Sequence, residues 1–224
     1  MHRELERDGE PIDVVFADGS LVILNKPAGL LSVPGRGADK QDCLSSRVQQ
    51  RFADALVVHR LDMATSGLIV MARGLPAQRA LGDAFAKREV FKRYVAVADG
   101  ILRVMDGEWQ TIELPIAVDW PNRPLRTINH TIGKASTTRV RCVGHDSARN
   151  VTHVELEPLT GRSHQLRVHM QALGHPILGD MLYGSERVAG MAPRLMLHAT
   201  QLALRHPTTG QAMAFHSAAG FDSA

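Results

Sequence analysis

The sequence has little cysteine, no long apolar segment and no strong excess of one charge. Its two cysteines, Cys43 and Cys142, are far apart among 224 residues, so we expect free thiols in a reducing cytoplasm rather than a disulfide framework. No run approaches the about 18 apolar residues that cross a membrane. The charged start, MHRELERDGE, lacks the apolar centre of a signal peptide. We therefore expect neither a secreted disulfide-rich domain nor a membrane protein.

What the sequence does contain is an ordinary globular composition with local basic clusters. Hydrophobic residues make up 44% and charged residues 22%, which argues against global disorder. The net charge is +3 and the sequence pI is about 9.1. Lysine and arginine gather at 87–93, 122–126 and 161–169 rather than in a tail. Such clusters suit phosphate binding on a folded surface, and a basic face that only contacts water is the alternative.

The secondary-structure signals favour a strand-rich chain with a few helices. Apolar runs at 21–24 and 66–73 predict buried strands. An amphipathic helix is predicted by four apolar residues at helical spacing, Ala77, Leu81, Ala84 and Phe85. The segment 151–161 alternates like a strand, with Val154 and Leu156 inward and Glu157 outward in water.

Towards the end of the chain, one helix and two strands are predicted. The segment 163–174 is typical of a helix with Ser163 as its N-cap and Gly174 at its end, and 194–217 is typical of two strands joined near Pro207. Strands and helices do not alternate regularly, so we expect an α+β fold with a mixed, mostly antiparallel sheet and flanking helices. Residues 1–12 are expected to be loose, and 13–224 to form one catalytic domain.

The stretch HRLDMATSG, residues 59–67, places Asp62 between apolar runs and beside cations. One interpretation is a turn aspartate that caps the corner after it. The other is a reactive carboxylate, because a nearby arginine such as Arg60 favours the ionised form. An ionised carboxylate suits a nucleophile or base rather than a general acid. Glycoside hydrolysis requires a second carboxylate, and none lies near Asp62 in sequence. An aspartyl phosphatase has a second aspartate two residues after the first, but that position is Ala64 here.

Signals for a metal or nucleotide cofactor are weak. His164, His169 and His175 could form a zinc site, but their spacing is not the one-face helical pattern of metalloproteases. The stretch VPGRGADK lacks the spacing of a phosphate-binding loop, so no cofactor and no metal are expected. Tyr94 follows a basic cluster and is either a sheet aromatic or a ring that stacks on a base.

Five segments together resemble the RluA family of pseudouridine synthases: NKPAGLLSVPG, HRLDMATSGLIVMA, KRYVAV, LTGRSHQLRVHMQALGHPILGDMLYG and RLMLHATQLALRHP. They occur in family order from about residue 21 to residue 207. The resemblance implies the pseudouridine synthase catalytic fold with a central active-site cleft. It also implies isomerisation of uridines in RNA stem-loops by base flipping, without a cofactor. The shortness of the chain and its loops resemble the members that act on both a 23S rRNA hairpin and a tRNA anticodon stem-loop, and no S4-type domain is expected.

The resemblance also implies roles for individual residues. Asp62 would be the catalytic aspartate, Arg162 its ion-pair partner, and Tyr94 the ring that stacks on the uracil and helps remove its C5 proton. Leu197 would form part of the apolar floor under the base, and Arg60 would enter the space that the flipped nucleotide leaves. Further substrate-binding residues would be His59, Arg123, Arg126, His164 and Arg167.

Three points stay open at this stage. Asp62 could attack C1′ of the ribose or remove its C2′ proton. The chain could be a non-catalytic RNA-binding protein that keeps the fold, or a metal-dependent hydrolase that uses the histidines. A monomer is the default expectation, because no heptad pattern or unexplained apolar stripe is visible.

Overall fold

The computed structural model describes residues 3–5, 12–103 and 107–221. In chain order the strands of these residues are β1 (Arg3–Leu5), β2 (Ile12–Ala17), β3 (Leu21–Lys26), β4 (Ala55–Val57), β5 (Ser66–Arg73), β6 (Phe91–Asp99), β7 (Gln110–Glu113), β8 (Ile116–Val118), β9 (Arg126–Ile128), β10 (Thr137–Asp146), β11 (Val151–Pro158), β12 (Leu197–Arg205) and β13 (Ala212–His216). The helices are α1 (Leu44–Arg51), α2 (Gly74–Ala86), α3 (Gln165–Ala172) and α4 (Glu186–Gly190). Strands with few helices and mixed pairing confirm the predicted α+β class.

The chain divides into two compact units. The first unit comprises residues 1–92 and 198–219, and the second comprises residues 93–197 and 220–224. In the first unit the strand order is β1-β2-β3-β5-β12, with β4 beside β5 and β13 beside β12. Every pairing is antiparallel except that of β5 with β12, which is parallel. The C-terminal part of the chain therefore completes a sheet that the N-terminal part begins.

The core of the first unit lies between this sheet and α2. Its members are buried apolar side chains from both stretches of the chain, among them Leu21, Ile23, Leu68, Val70, Leu81 and Leu202. The predicted strands at 21–24 and 66–73 and the predicted helix around Ala77 and Leu81 are confirmed. In each, the spacing of the apolar residues matches one type of element, so the sequence alone locates it.

Gly67 makes the parallel pairing possible. It has a φ of 111° and is paired with Ala199 of β12. A Cβ atom at this position would lie 2.4 Å from the Ala199 carbonyl oxygen, a distance that no real side chain tolerates. Glycine is therefore required both for its backbone conformation and for the close approach of the two strands.

In the second unit the strands β6, β11, β10 and β7 pair antiparallel in that order, and β8 and β9 form a separate two-stranded ladder. A small core under this ladder contains Ile116, Val168 and Tyr183, with Leu125 and Ile128 packed against it.

Two features of the second unit differ from the sequence prediction: the exposure of Glu157 and the first residue of α3. Glu157 points outward but is only 4% exposed, because Arg93 and Arg139 bind its carboxylate.

The second change concerns the start of α3. The N-cap is His164, not Ser163, and it makes no side-chain capping bond. His164 has a φ of 58°, a left-handed conformation that residues other than glycine adopt only with support. The predicted end at Gly174 is confirmed, since its φ of 82° follows the last helical turn.

At the N-terminus, where we expected a loose segment, Arg3–Leu5 forms β1 and pairs with β2. Ile12, at the start of β2, is fully buried. The remaining residues of 1–11 lie outside the described part of the chain.

Candidate active site

Asp62 lies on a tight turn that leads into β5. The Thr65 amide donates to the Asp62 carbonyl at 3.1 Å, which closes the turn. The preceding residue, Leu61, is buried and is held on both sides by Ser32, whose hydroxyl donates to the Leu61 carbonyl at 2.7 Å and accepts from its amide at 3.1 Å. Asp62 itself is half-buried and Arg60 is exposed. The carboxylate therefore sits on a rigid corner of the first unit.

A buried lysine lies beneath this corner. Lys26 is fully buried, and its ammonium donates to the carbonyls of Pro27, Leu30 and Met63 at 2.7, 2.8 and 3.1 Å. Burial lowers the pKa of Lys26 to about 7, while the charge of Asp62 opposes this by favouring the ammonium form. Three carbonyl acceptors likewise need the three protons of the ammonium form. Lys26 thus ties the loop 27–30 to the residue that follows Asp62.

Sequence reasoning missed Lys26, although a signal was available. The lysine ends the apolar run of β3 and precedes Pro27. A charge at the buried end of an apolar strand needs partners, and such a residue merits attention as a site candidate.

His59 has a framework contact in the structure. Its Nε2 accepts the Val70 amide at 3.1 Å, and its ring stacks on Phe85 with centroids 4.4 Å apart. Burial, with a smaller contribution from the charge of Lys92, lowers the pKa of His59 to about 3. A neutral imidazole is what acceptance at Nε2 requires. The predicted RNA contact of His59 stays a prediction, while its position in the first unit explains how the start of the motif is held.

In the second unit, Tyr94 lies in β6 opposite Leu156 of β11 and is 9% exposed. Its neighbour Arg93 points to the other face, as strand alternation requires, and binds Glu157 at 2.5 Å. Leu197, the first residue of β12, is also buried. Both predicted base-contacting side chains are thus placed on strands rather than on loops.

Arg162 begins a turn that leads into α3. The Gln165 amide donates to the Arg162 carbonyl at 3.2 Å, and the Arg162 amide donates to Gln165 Oε1 at 3.0 Å. Gln165 is buried and bonds in turn to the Thr137 carbonyl and the Thr138 hydroxyl. The Arg162 Nε donates to the Ala135 carbonyl at 3.3 Å. Gln165 therefore fixes the turn that carries Arg162, a role that the sequence did not reveal.

The prediction that Arg167 binds RNA is corrected. Arg167 is 3% exposed, and its Nε and Nη2 donate to the two carboxylate oxygens of Asp180 at 2.7 and 2.6 Å. The guanidinium also lies 5.0 Å from the centre of the Tyr183 ring. A buried bidentate pair of this kind belongs to the framework, because breaking it would leave a buried charge without its partner.

The loop 119–125 between β8 and β9 presents a cation and an aromatic ring to solvent. Trp120 is 64% exposed, and the Arg123 guanidinium stacks 4.8 Å from the centre of its ring. Arg126 is half-buried, and its Nη1 donates to the Pro124 and Leu125 carbonyls at 3.2 and 3.1 Å. Arg123 is thus placed to meet a partner, whereas the Arg126 side chain holds the loop together.

The three histidines of the metal alternative bond to three different parts of the second unit. His164 Nδ1 lies 2.7 Å from the Tyr183 hydroxyl, and His175 Nδ1 lies 2.8 Å from the Asp99 carbonyl. His169 is fully buried, with Nδ1 3.0 Å from the Thr138 hydroxyl and Nε2 3.0 Å from the Leu114 carbonyl. Over 3–5, 12–103 and 107–221, no group of histidine, cysteine or acidic side chains forms a metal site. These imidazoles act as hydrogen-bonding partners.

The buried histidines predict a loss of stability in acid. Burial lowers the pKa of His169, and that of His59 falls to about 3. The unfolded chain binds protons from about pH 6.5 downwards, whereas the folded chain keeps both rings neutral, so stability is full above pH 6.5 and falls below it. We expect His59 to cost up to about 2 kcal/mol between pH 6.5 and 5, and His169 to add a loss of the same sign.

Urea unfolding at a series of pH values measures this effect. The His59→Gln variant should flatten the dependence on pH, whereas a change at the exposed His130 should leave it as in the wild type. An unfolding free energy that is constant from pH 7 to 5 would contradict the assignment of both rings as neutral.

Comparison with known proteins gives one consistent result. A model of the RNA pseudouridylate synthase family matches residues 20–172. The protein named dual-specificity RNA pseudouridine synthase RluA from Escherichia coli (strain K12) is 46% identical over 208 residues, 93% of each chain. The protein of the same name from Yersinia pestis is 47% identical over 93% of this chain and 99% of its own. That from Haemophilus influenzae is 43% identical over 94% of each chain.

Solved structures agree in fold. Human RNA pseudouridylate synthase domain containing 1 is 28% identical with a TM-score of 0.77, covering 95% of this chain and 86% of that one. Human RNA pseudouridylate synthase domain containing 4, at 23% identity and a TM-score of 0.71, shares the fold over 92% of this chain and 87% of its own. Within the described ranges, no helix is long and apolar enough to span a membrane.

Proposed function

The chain belongs to the RNA pseudouridylate synthase family, and we propose that it isomerises specific uridines in two classes of stem-loop RNA. The observation that carries the dual specificity is identity of 43–47% over nearly the full length with relatives that are named dual-specificity enzymes. The two substrates we propose are a 23S rRNA hairpin and the tRNA anticodon stem-loop.

The proposed reaction starts at Asp62. Pseudouridine formation breaks the N1–C1′ bond, turns the uracil and joins C5 to C1′, after which the C5 proton leaves. An ionised carboxylate is needed, either to attack C1′ or to take the C2′ proton. Within the first unit, the charge of Asp62 favours the ammonium form of Lys26, so a cation accompanies this carboxylate. We assign Arg162 as the second cation that holds Asp62 ionised and oriented.

Three further residues receive roles in this reaction. Tyr94 stacks on the target uracil and assists removal of the C5 proton, and Leu197 supplies apolar surface beneath the base. Both are supported by their burial on strands, which limits their motion. Arg60 is exposed next to the Asp62 turn and fills the place of the flipped nucleotide. Flipping costs a few kcal/mol, least in a loop, which suits a stem-loop substrate.

The grip on the RNA is assigned to the loop 119–125. Arg123 and the exposed ring of Trp120 offer a phosphate contact and a stacking surface. We keep His59, Arg126 and His164 as substrate contacts of second rank, since the structure gives each a framework bond. Because phosphate contacts release counterions, the affinity for RNA should fall steeply with salt.

The proposal also covers the domain organisation, the cofactor requirement, the oligomeric state and the location of the protein. The family match at 20–172 covers parts of both compact units, which supports one catalytic domain over 13–224. The reaction has no redox change, so we propose that it needs no cofactor and no metal. We also propose that the protein works as a monomer in the cytoplasm.

Tritium release tests the proposal. Wild-type protein is incubated with an anticodon stem-loop and a large-subunit rRNA hairpin, each labelled with 5-tritiated uridine, and the tritium that reaches water is counted. We expect release from both RNAs, with the uridine that loses tritium converted to pseudouridine in each product.

Arg123→Ala should weaken binding of both RNAs about equally and reduce the dependence of affinity on salt.

The outcomes separate the parts of the proposal. Release from one RNA alone would keep the chemistry and overturn the dual specificity. Binding of both RNAs without release from either would favour the non-catalytic RNA-binding alternative.

A further inference from the structure

Tyr183 has no role in the proposed chemistry, yet its hydroxyl joins two segments that do. Tyr183 is 5% exposed and lies in the small core beneath β8 and β9. The Arg126 amide donates to its hydroxyl oxygen at 2.9 Å. The same oxygen lies 2.7 Å from His164 Nδ1. The hydroxyl of one buried residue therefore contacts the residue that directly follows the loop 119–125 and the residue that precedes α3.

The hydrogen-bond capacity of this hydroxyl fits both contacts. A phenol has one proton and can also accept. Since the Arg126 amide has a hydrogen to give, the Tyr183 oxygen accepts from it, and its own proton is left to donate to His164 Nδ1. The two rings also meet edge to face, with centroids 5.6 Å apart and planes at 81°.

The tyrosine is itself held in place. Its amide donates to Asp180 at 3.0 Å, and the guanidinium of Arg167, paired with Asp180, lies over its ring. The buried pair of Arg167 and Asp180 therefore holds the backbone and the ring of Tyr183 in position. This gives a reason for a buried ion pair in a position where sequence reasoning expected an RNA contact.

Each of the two joined segments carries a proposed functional residue. Arg126 is the first residue of β9, directly after the loop that presents Arg123. His164 is two residues after Arg162, and its left-handed φ of 58° is a conformation that needs outside support. The Tyr183 hydroxyl supplies such support through the imidazole.

We propose that Tyr183 is a positioning residue that sets the RNA-gripping loop 119–125 at a fixed place relative to the turn that carries Arg162. This inference rests on the proposed function and names how RNA held at the loop is aligned with Arg162. In this role the hydroxyl acts through Arg126 and His164 and contacts no reacting atom. Its removal should therefore slow the reaction of bound RNA while leaving the grip of Arg123 intact.

The Tyr183→Phe variant tests this with the loss of one oxygen atom. The ring under Arg167 remains, so the protein should fold. We expect the single-turnover rate of tritium release from both stem-loops to fall about tenfold, since small misplacements far from the chemistry have effects of this size. The dissociation constant for RNA should stay within about twofold.

His164→Asn is the matched second variant, because asparagine tolerates the left-handed conformation but is too short to reach the hydroxyl as the ring does. It should lower the rate as Tyr183→Phe does. The double variant should be no slower than either single one, since both remove the same bond. Thermal unfolding of all three should show folded protein at the assay temperature.

The results distinguish failure of the proposed function from failure of the role assigned to Tyr183. Wild-type protein without tritium release would overturn the proposed function and this inference with it. An active wild type with Tyr183→Phe within twofold in rate would overturn this inference alone. So would losses that multiply in the double variant, or a rate that simply follows the folded fraction, because either would mean that the hydroxyl only stabilises the fold.

Discussion

Asp62→Asn should abolish tritium release from both stem-loop RNAs while leaving their binding in place. Asparagine has the same shape but can neither attack C1′ nor take a proton, so we expect a loss of about a thousandfold or more in single-turnover rate. The turn itself depends on the backbone bond from Thr65 and on Leu61 held by Ser32, and these do not involve the carboxylate. Filter binding and tritium release on the same preparations measure both parts.

Asp54→Asn is the matched control for Asp62→Asn. It makes the same change of charge in the same unit, at a surface carboxylate that binds Arg73. Its rate and affinity should be those of the wild type. Tritium release by Asp62→Asn at more than a tenth of the wild-type rate would remove Asp62 from the centre of the mechanism.

Lys26→Met should cost both stability and activity. The substitution removes the donor from the carbonyls of Pro27, Leu30 and Met63, which predicts a loss of about 3 kcal/mol in unfolding free energy. It also removes the cation whose ammonium form the charge of Asp62 favours, so the rate per folded molecule should fall about tenfold. Urea unfolding and single-turnover tritium release under folding conditions separate the two losses.

The pH profile distinguishes an electrostatic role of Lys26 from a structural one. With a pKa of about 7, Lys26 is charged below neutral pH and loses its proton above it. The wild-type rate should therefore decline on the alkaline side near pH 7, and this decline should be absent in Lys26→Met. Lys92→Met is the control, since Lys92 is a half-buried lysine of the same unit whose pKa burial also lowers. A wild-type rate that is flat from pH 6 to 9 would assign Lys26 to structure alone.

Local patterns in the sequence predicted the elements that local patterns determine. The strands β3 and β5 and the helix α2 have uninterrupted or helical apolar spacing, and each is found where expected. The basic cluster at 122–126, which overlaps the loop 119–125, was also visible, because its two arginines are near each other in sequence.

Features that depend on distant partners were not visible. Asp180 lies 13 residues from Arg167, and 57 residues separate Arg126 from Tyr183. Only the fold brings these groups together, so an arginine in a basic cluster was interpreted as an RNA contact when it is a buried partner of an aspartate. The same holds for His164, whose left-handed backbone depends on a tyrosine that no spacing rule connects to it.

The discontinuous first unit has a consequence for how the protein is made. The Asp62 turn leads into β5, whose parallel partner β12 is synthesised more than a hundred residues later, with Ser66 paired to His198. While a ribosome adds about 5–20 residues per second, this edge of the sheet waits for many seconds without its neighbour. The strand that follows the Asp62 corner gains this partner only after residues 197–205 have been synthesised. During synthesis β5 can therefore pair with β3 and β4 long before β12 exists, so the edge beside Ser66 and His198 is the last of its edges to form.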